Sequence, residues 1–137
     1  MAYGRGIGTE ILLSEVFDRS RVTALRHVVT STVATAGLSG DRLDDFVVAV
    51  NELLTNAVRH GGGSGEVRVW FEQGSVVCEV RDRGTGLTSP PPDPAERPVA
   101  NEPGGWGLWL AGRLTDSLEF RTGAGGTSVR ISARASR

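Results

Sequence analysis

The sequence predicts an α/β two-layer sandwich, in which one mixed, mainly antiparallel sheet is covered on one face by three helices. The strongest observation is the segment before Gly61, whose apolar residues recur at helical spacing and form a surface wide enough to pack against a sheet. A second observation is a pair of strand patterns, at residues 66–73 and 75–81, joined at Gly74 by a tight turn that predicts a hairpin. Two more strand patterns, at residues 117–122 and 127–133, enlarge the predicted sheet.

The N-terminal part of the chain predicts a strand followed by a helix. Residues 9–17 have the pattern of a strand, and Asp18 or Ser20 is suited to cap the segment that follows. Apolar residues then recur near helical spacing over residues 21–36. Gly37 predicts the end of this first helix.

The other two helices are predicted from their ends. Ser39 or Asp41 is suited to cap the second helix, which runs to about His60 and ends at the glycines that follow. The third helix is short, at residues 108–114, and its N-terminus lies at the glycine-rich residues 104–107.

A proline-rich segment separates the hairpin from the third helix. All six prolines of the chain lie between residues 88 and 103, and this segment has no apolar periodicity. It therefore predicts a long exposed loop, either a mobile lid or a disordered insertion.

The composition excludes several classes of function. The net charge of -1 comes from 16 acidic and 15 basic residues spread along the chain, which argues against a nucleic-acid partner. All the basic residues are arginine, and the absence of lysine excludes a P-loop, the ordinary protein-kinase fold and Schiff-base chemistry. Two histidines and one cysteine are too few for a Cys/His zinc site. Cys78 lies in an alternating strand pattern, which favours a core thiol.

The length and the N-terminal sequence give expectations about organisation and location. A chain of 137 residues is expected to form one domain, residues 1–137. The start has no apolar signal region, and no apolar run approaches the length that spans a bilayer. We therefore expect a cytoplasmic protein without a membrane partner.

A line of polar residues interrupts the apolar pattern of the second helix. Glu52, Asn56 and His60 recur every four residues, so their side chains lie along one side of the helix at the edge of its apolar face. A carboxylate beside a neutral oxygen ligand suits a hydrated divalent cation and a nucleophile that must be deprotonated. The alternative is an amphipathic helix whose polar groups are simply solvated.

Two glycine clusters are candidates for ligand contact. Gly84 and Gly86 follow a strand as in a dinucleotide-binding motif, but Ser89 replaces the third glycine and prolines replace the helix, which argues against a Rossmann site. Residues 104–107 precede a helix, where free backbone N–H groups and the helix dipole suit a phosphate. A flexible loop that ends in an N-cap is the alternative for this second cluster.

Taken in order, four motifs resemble those of one superfamily. They are the helix segment NELLTNAVRH, the strand end DRGTG, the segment GGWGL before a helix, and the late GTS. In this order they resemble the motifs of the GHKL ATPases, which bind ATP in the Bergerat fold. Because the chain is small, it most resembles the anti-sigma-factor serine kinases of that superfamily. The resemblance covers roughly residues 8 to 134.

The resemblance implies roles for individual residues. Glu52 would be the general base, and Asn56 would ligate the Mg²⁺ that bridges the ATP phosphates. Asp82 would accept a hydrogen bond from the adenine amino group, and Thr127 would complete that pocket. The other residues that the resemblance places at ATP are Ala57, Arg59, Gly84, Gly86, Leu87, Gly105, Gly107 and Leu108.

The resemblance also implies a function and partners. The chain is expected to be an ATP- and Mg²⁺-dependent serine/threonine kinase that phosphorylates a STAS-type anti-sigma antagonist, binds a sigma factor and forms a homodimer. The proline-rich residues 88–103 would then be the ATP lid. The alternative is a nucleotide-sensing interaction module with little or no kinase activity.

Overall fold

The computed structural model describes residues 9–60, 62–83, 105–123 and 125–135. They form five strands, three α-helices and one 3₁₀ turn. In chain order these are β1 (Thr9–Asp18), the 3₁₀ turn (Arg19–Arg21), α1 (Val22–Thr35), α2 (Gly40–His60), β2 (Ser64–Glu72), β3 (Ser75–Asp82), α3 (Gly105–Leu114), β4 (Ser117–Gly123) and β5 (Gly126–Arg134). The predicted two-layer α/β sandwich with its mainly antiparallel sheet is confirmed.

The five strands form one sheet in the order β1-β2-β3-β5-β4, and every described pairing is antiparallel. The predicted hairpin is present as β2 and β3. It turns at Gln73 and Gly74, which both have positive φ angles, of 53° and 83°. Two consecutive residues with positive φ match the twist of antiparallel strands, which explains why this turn closes the hairpin.

The helices cover one face of the sheet and form the core with it. Directly opposed residues of neighbouring strands project from the same face. Val67, Val80 and Val129 are opposed in this way on β2, β3 and β5, and all three are buried in the core. The helices contribute their apolar faces to the same core, and their fully buried large side chains are Leu25, Val29, Val33, Phe46, Val50, Leu53 and Leu54. Each such side chain contributes about 1.5–3 kcal/mol by leaving water.

The opposite face of the sheet carries charged residues around a small apolar centre. Trp70 and Val77 are buried there, outside the main core. Arg130 lies over the Trp70 ring at 5.1 Å from the ring centroid, and its Nη2 is 3.0 Å from Glu79 Oε2. Glu79 is therefore a buried carboxylate held by arginine. We call this side of the sheet the open face, because no described helix packs on it.

The helix boundaries differ in detail from the sequence prediction. Helix α1 is preceded by the 3₁₀ turn, and Asp18 is the residue that caps this turn, by accepting hydrogen bonds from the backbone N–H and the hydroxyl of Ser20. These hydrogen bonds from Ser20 hold the pKa of Asp18 below its usual value. Helix α3 begins at Gly105, three residues before the predicted start, because the glycines before Leu108 are already helical.

Cys78 lies in the core, as its strand pattern predicts. Burial raises the pKa of its thiol to about 12, and the negative charge of the neighbouring Glu79 acts in the same direction. The thiol is therefore protonated and inaccessible in the folded protein, as a structural cysteine should be.

Candidate functional site

Helix α2 presents two of the predicted site residues on successive turns. Glu52 is half-buried, whereas Asn56 is buried with 8% of its surface exposed, and Ala57 beside it is also buried. The side chain of His60, the third member of the predicted polar line, lies outside the described residues. Within the described part of the chain the Asn56 amide makes no hydrogen bond. Its oxygen is thus available to a ligand.

Glu52 meets the first turn of α3. A Cβ atom at Gly107 would lie 2.6 Å from Glu52 Oε1, so a larger residue at position 107 would make the carboxylate move. The first turn of α3 has no acidic residue of its own. Because a helix N-terminus carries partial positive charge, a carboxylate that approaches from α2 is stabilised there. Leu108, the next residue, is buried and anchors α3 in the core.

Asp82 and Thr127 form a second group at the end of the sheet. They are directly opposed on β3 and β5, and both are buried. The backbone N–H of Thr127 donates a hydrogen bond to Asp82 Oδ1 at 3.2 Å. The Thr127 hydroxyl is 2.9 Å from the hydroxyl of Thr122 on β4. A buried carboxylate fixed in this way can accept a hydrogen bond from an amino group of a ligand.

Gly126 is a contributor that the sequence did not identify. Its φ is +127°, and a Cβ atom there would collide with the backbone carbonyl of Asp82. The close approach of β5 to the end of β3, which brings Thr127 to Asp82, therefore depends on this glycine. The sequence signal was the glycine-rich turn before Thr127, but nothing in it separates a turn glycine from a packing glycine.

The structure describes the side chain of Arg59 but not several other predicted site residues. Arg59 is exposed and lines a small hollow of about 340 Å³ with Arg19 and Val22, at the junction of α1 and α2. Gly84, Gly86, Leu87 and the predicted lid at residues 88–103 lie outside the described residues.

A cavity of about 770 Å³ opens at the end of the sheet. Asp82 and Thr127 belong to its lining, but no described residue of α2 or α3 does. Five of the other lining residues form one row on the open face. This cavity is therefore not the space beside Glu52 and Asn56.

The described ranges contain neither a preformed cluster of metal ligands nor a membrane-spanning helix. Within them, no group of three or more His, Cys, Asp or Glu side chains is arranged to hold a metal ion. Phosphate oxygens of a nucleotide are the usual further ligands of a protein-bound Mg²⁺. None of the described helices is long and apolar enough to cross a membrane.

The family described as histidine kinase-like ATPase domain matches residues 17–133 of the chain. The chain belongs to this family. The match extends from the end of β1 to β5, and so includes Glu52, Asn56, Asp82, Gly107 and Thr127. Membership of an ATPase domain family implies that the chain binds ATP, and the resemblance to GHKL kinases of the anti-sigma-factor type is confirmed.

The relatives agree with this assignment. The chain is 29% identical over 114 residues to the serine-protein kinase RsbW of Oceanobacillus iheyensis, over 72% of this chain and 70% of that relative. The crystal structure of the RsbU and RsbW domains of a Mycobacterium tuberculosis protein is similar with a TM-score of 0.68 and 26% identity. That match covers 91% of this chain, which spans only 32% of the Mycobacterium chain.

A more distant structure shares the fold alone. The histidine kinase domain of the Erythrobacter litoralis EL346 blue-light activated histidine kinase is similar with a TM-score of 0.57 and 19% identity. The match covers 83% of this chain and 61% of that one. The fold is thus common to serine and histidine kinases, and the site residues must distinguish between them.

Proposed function

We propose that the chain is an ATP-dependent serine/threonine protein kinase that phosphorylates a STAS-type anti-sigma antagonist and binds a sigma factor. The observation that carries this proposal is the contact between Glu52 and the first turn of α3 at Gly107. It brings a carboxylate to a helix N-terminus, which is where the phosphates of a nucleotide are best bound. A proton acceptor and a phosphate-binding element side by side are what phosphoryl transfer requires.

In this proposal each residue has one task. The Glu52 carboxylate accepts the proton of the attacking serine or threonine hydroxyl, while the hydroxyl oxygen bonds to the terminal phosphorus of ATP and ADP leaves. The backbone N–H groups at the start of α3, with Gly105, Gly107 and Leu108, bind phosphate oxygens. Asn56 would hold Mg²⁺, which neutralises charge on the phosphates.

The other end of the nucleotide would lie at Asp82. We propose that its buried carboxylate accepts a hydrogen bond from the adenine amino group, beside Thr127, and that Ala57 leaves room for the base. The hydrogen bond from the Thr127 backbone to Asp82 Oδ1 supports this role, because it fixes the carboxylate before the ligand arrives. Gly84, Gly86, Leu87 and Arg59 are further proposed contacts.

A homodimer through β1 belongs to the same proposal. β1 is an edge strand of the sheet, and an unpaired edge can pair with a second copy across a two-fold axis. Ile11 on this strand is 59% exposed, which supports an apolar contact there. Light scattering of wild type and Ile11→Arg tests it. A wild type that stays monomeric at high concentration would rule out the dimer.

The kinase proposal is tested by transfer of labelled phosphate from ATP to a purified STAS-domain protein. We expect transfer by wild type, loss of at least about a hundredfold in Glu52→Ala, and no change in Glu119→Ala, an exposed carboxylate on β4. Equal transfer by Glu52→Ala would refute the role of Glu52. ATP binding without transfer by wild type would favour the alternative, a nucleotide-sensing interaction module.

A further inference from the structure

One row of residues on the open face supplies five of the described lining residues of the cavity at the end of the sheet. Val16, Glu66, Arg81, Ser128 and Arg121 are opposed in turn across β1, β2, β3, β5 and β4, and all five line the cavity. They occupy the face opposite the helices, because the next row toward the strand ends runs through Phe17, which lies in the core. The cavity shares Asp82 and Thr127 with the proposed adenine site, but no described residue of α2 or α3, and so neither Glu52 nor Asn56, lines it.

Three arginines, Arg81, Arg83 and Arg121, line this cavity and give it positive charge. Arg83 and Arg121 are exposed, and neither has an acidic partner among the described residues. Arg81 lies 3.5 Å from Glu79, but that carboxylate is more closely held by Arg130, at 3.0 Å. The cavity therefore presents three guanidinium groups that can bind an anionic ligand.

The lining of the cavity also contains two carboxylates, those of Glu66 and Asp82. The carboxylate of Glu66 lies 3.5 Å from Arg68, which is not part of the lining. Asp82 is buried, and its Oδ1 accepts the hydrogen bond from the backbone of Thr127. Glu66 is directly opposed to Arg81 and offsets part of its charge, so an outside carboxylate would find Arg83 and Arg121 the most available.

The two ends of the row differ in chemistry. At one end Arg81 and Arg121 flank Ser128, which suits carboxylate groups. At the other end Val16, with 75% of its surface exposed, offers an apolar contact. Four strand spacings of about 4.8 Å separate the ends, roughly 19 Å, which an extended peptide of about six residues spans. An inorganic anion would use only the arginine end.

We propose that this cavity is a docking site for an extended acidic peptide segment of a partner protein, with carboxylates bound by Arg81 and Arg121 and an apolar side chain against Val16. The site adds a protein-binding function to the open face that does not depend on kinase chemistry. Binding is electrostatically steered and weakens as salt rises, because the arginines are exposed.

Fluorescence anisotropy with the full chain tests the proposal. The probe is a short fluorescein-labelled peptide with glutamates at one end and leucines at the other, and its counterpart has glutamines in place of the glutamates. We expect the acidic peptide to bind wild type and to bind Arg121→Glu at least about tenfold more weakly. Arg134→Glu is the matched control, because Arg134 is exposed on the same face of β5 but does not line the cavity. It should bind like wild type.

Four binding results would overturn the proposal. They are absence of binding at millimolar peptide, equal affinity for the glutamine peptide, equal weakening by Arg134→Glu, and complete displacement of the peptide by inorganic phosphate at constant ionic strength, which would indicate a simple anion site. Light scattering gives a separate check. If Arg121→Glu converts a dimer into a monomer, the cavity is an interface between copies and the proposal is wrong.

ATP affinity is measured in parallel, because Asp82 and Thr127 line the cavity and also belong to the proposed adenine site. Arg121→Glu should leave ATP affinity unchanged. Failure of wild type to bind ATP while it still binds the peptide would count against the kinase proposal alone.

Discussion

The Glu52 carboxylate lies against the backbone of Gly107, so that a methyl group at residue 107 would stand 2.6 Å from Oε1. This contact joins α2 and α3, two helices that are far apart in the sequence. The contact joins the proposed general base to the helix whose N-terminus is proposed to bind phosphate. Glycine is needed here for close approach, since its place in a helix would otherwise favour alanine.

Gly107→Ala is the first test of this contact. Alanine should stabilise α3 by up to about 1 kcal/mol through helix propensity, and its methyl group should make the flexible Glu52 side chain move its carboxylate away. We therefore expect stability within about 1 kcal/mol of wild type but weaker phosphate transfer. Urea denaturation and the transfer assay measure the two effects. The control is Gly123→Ala on β4, where no described atom lies within 4 Å of the added Cβ. Phosphate transfer by Gly107→Ala equal to that of wild type would contradict the importance of this contact.

The same contact predicts a rescue. Glu52→Asp withdraws the carboxylate by one methylene, roughly 1.5 Å, and makes room for the methyl group. We therefore expect the double variant to be more stable than the sum of the two single changes predicts, by about 0.5–1 kcal/mol. Additive effects in this cycle would mean that the two residues do not touch.

Gly126 should tolerate alanine poorly. Its φ of +127° is unfavourable for any residue with a Cβ, and that Cβ would strike the carbonyl of Asp82. We expect Gly126→Ala to lose about 2 kcal/mol or more of stability and to weaken ATP binding, because Thr127 can no longer fix the Asp82 carboxylate. Denaturation and nucleotide titration measure the two effects. Stability equal to that of Gly123→Ala would show that β5 does not need glycine at residue 126.

Arg130 should contribute more to stability than other exposed arginines of the open face. It pairs with the buried Glu79 and covers Trp70, so Arg130→Met leaves a buried carboxylate with only the more distant Arg81. We expect a loss of about 2 kcal/mol and a change in tryptophan fluorescence. Arg134→Met on the same strand should be nearly neutral. Equal effects of the two substitutions would argue against this ion pair.

The pKa of Cys78 predicts a loss of stability at alkaline pH. Because burial raises the pKa of the thiol from 9.0 to about 12, the unfolded chain releases this proton above pH 9 while the folded chain retains it. Stability should therefore fall between pH 9 and 12, by about 1.4 kcal/mol per pH unit at most. Denaturation of wild type and Cys78→Val at pH 7 and 10 measures this. The variant should lose less, and an equal loss would assign the effect to other groups.

Local patterns predicted most of the elements of the fold. The alternation around Cys78 and the turn at Gly74 identified the hairpin, because side chains on a strand alternate between faces and a tight turn needs positive φ. The first helix and the strands of the C-terminal part were recognised in the same way. The 3₁₀ turn before α1 and the early start of α3 at Gly105 were not, since element ends depend on local hydrogen bonds that periodicity does not reveal.

The site was less predictable than the fold. The four-residue spacing placed Glu52 and Asn56 on one side of α2, but their partner surface comes from α3, and contacts between distant segments leave no local pattern. The need for glycine at residue 126 likewise arises only when β5 meets β3. The open-face row that contains Arg81 and Arg121 could not be predicted for the same reason, because its members come from different strands.

The most direct test of the account is calorimetric titration of ATP with and without Mg²⁺. Wild type should bind ATP with micromolar affinity that depends on Mg²⁺, whereas Asn56→Ala and Asp82→Ala should lose this binding and Glu119→Ala should retain it. Circular dichroism confirms that each variant is folded. If folded wild type binds no ATP at millimolar concentration, or if both site variants bind as it does, Glu52, Asn56 and Asp82 do not form a nucleotide site.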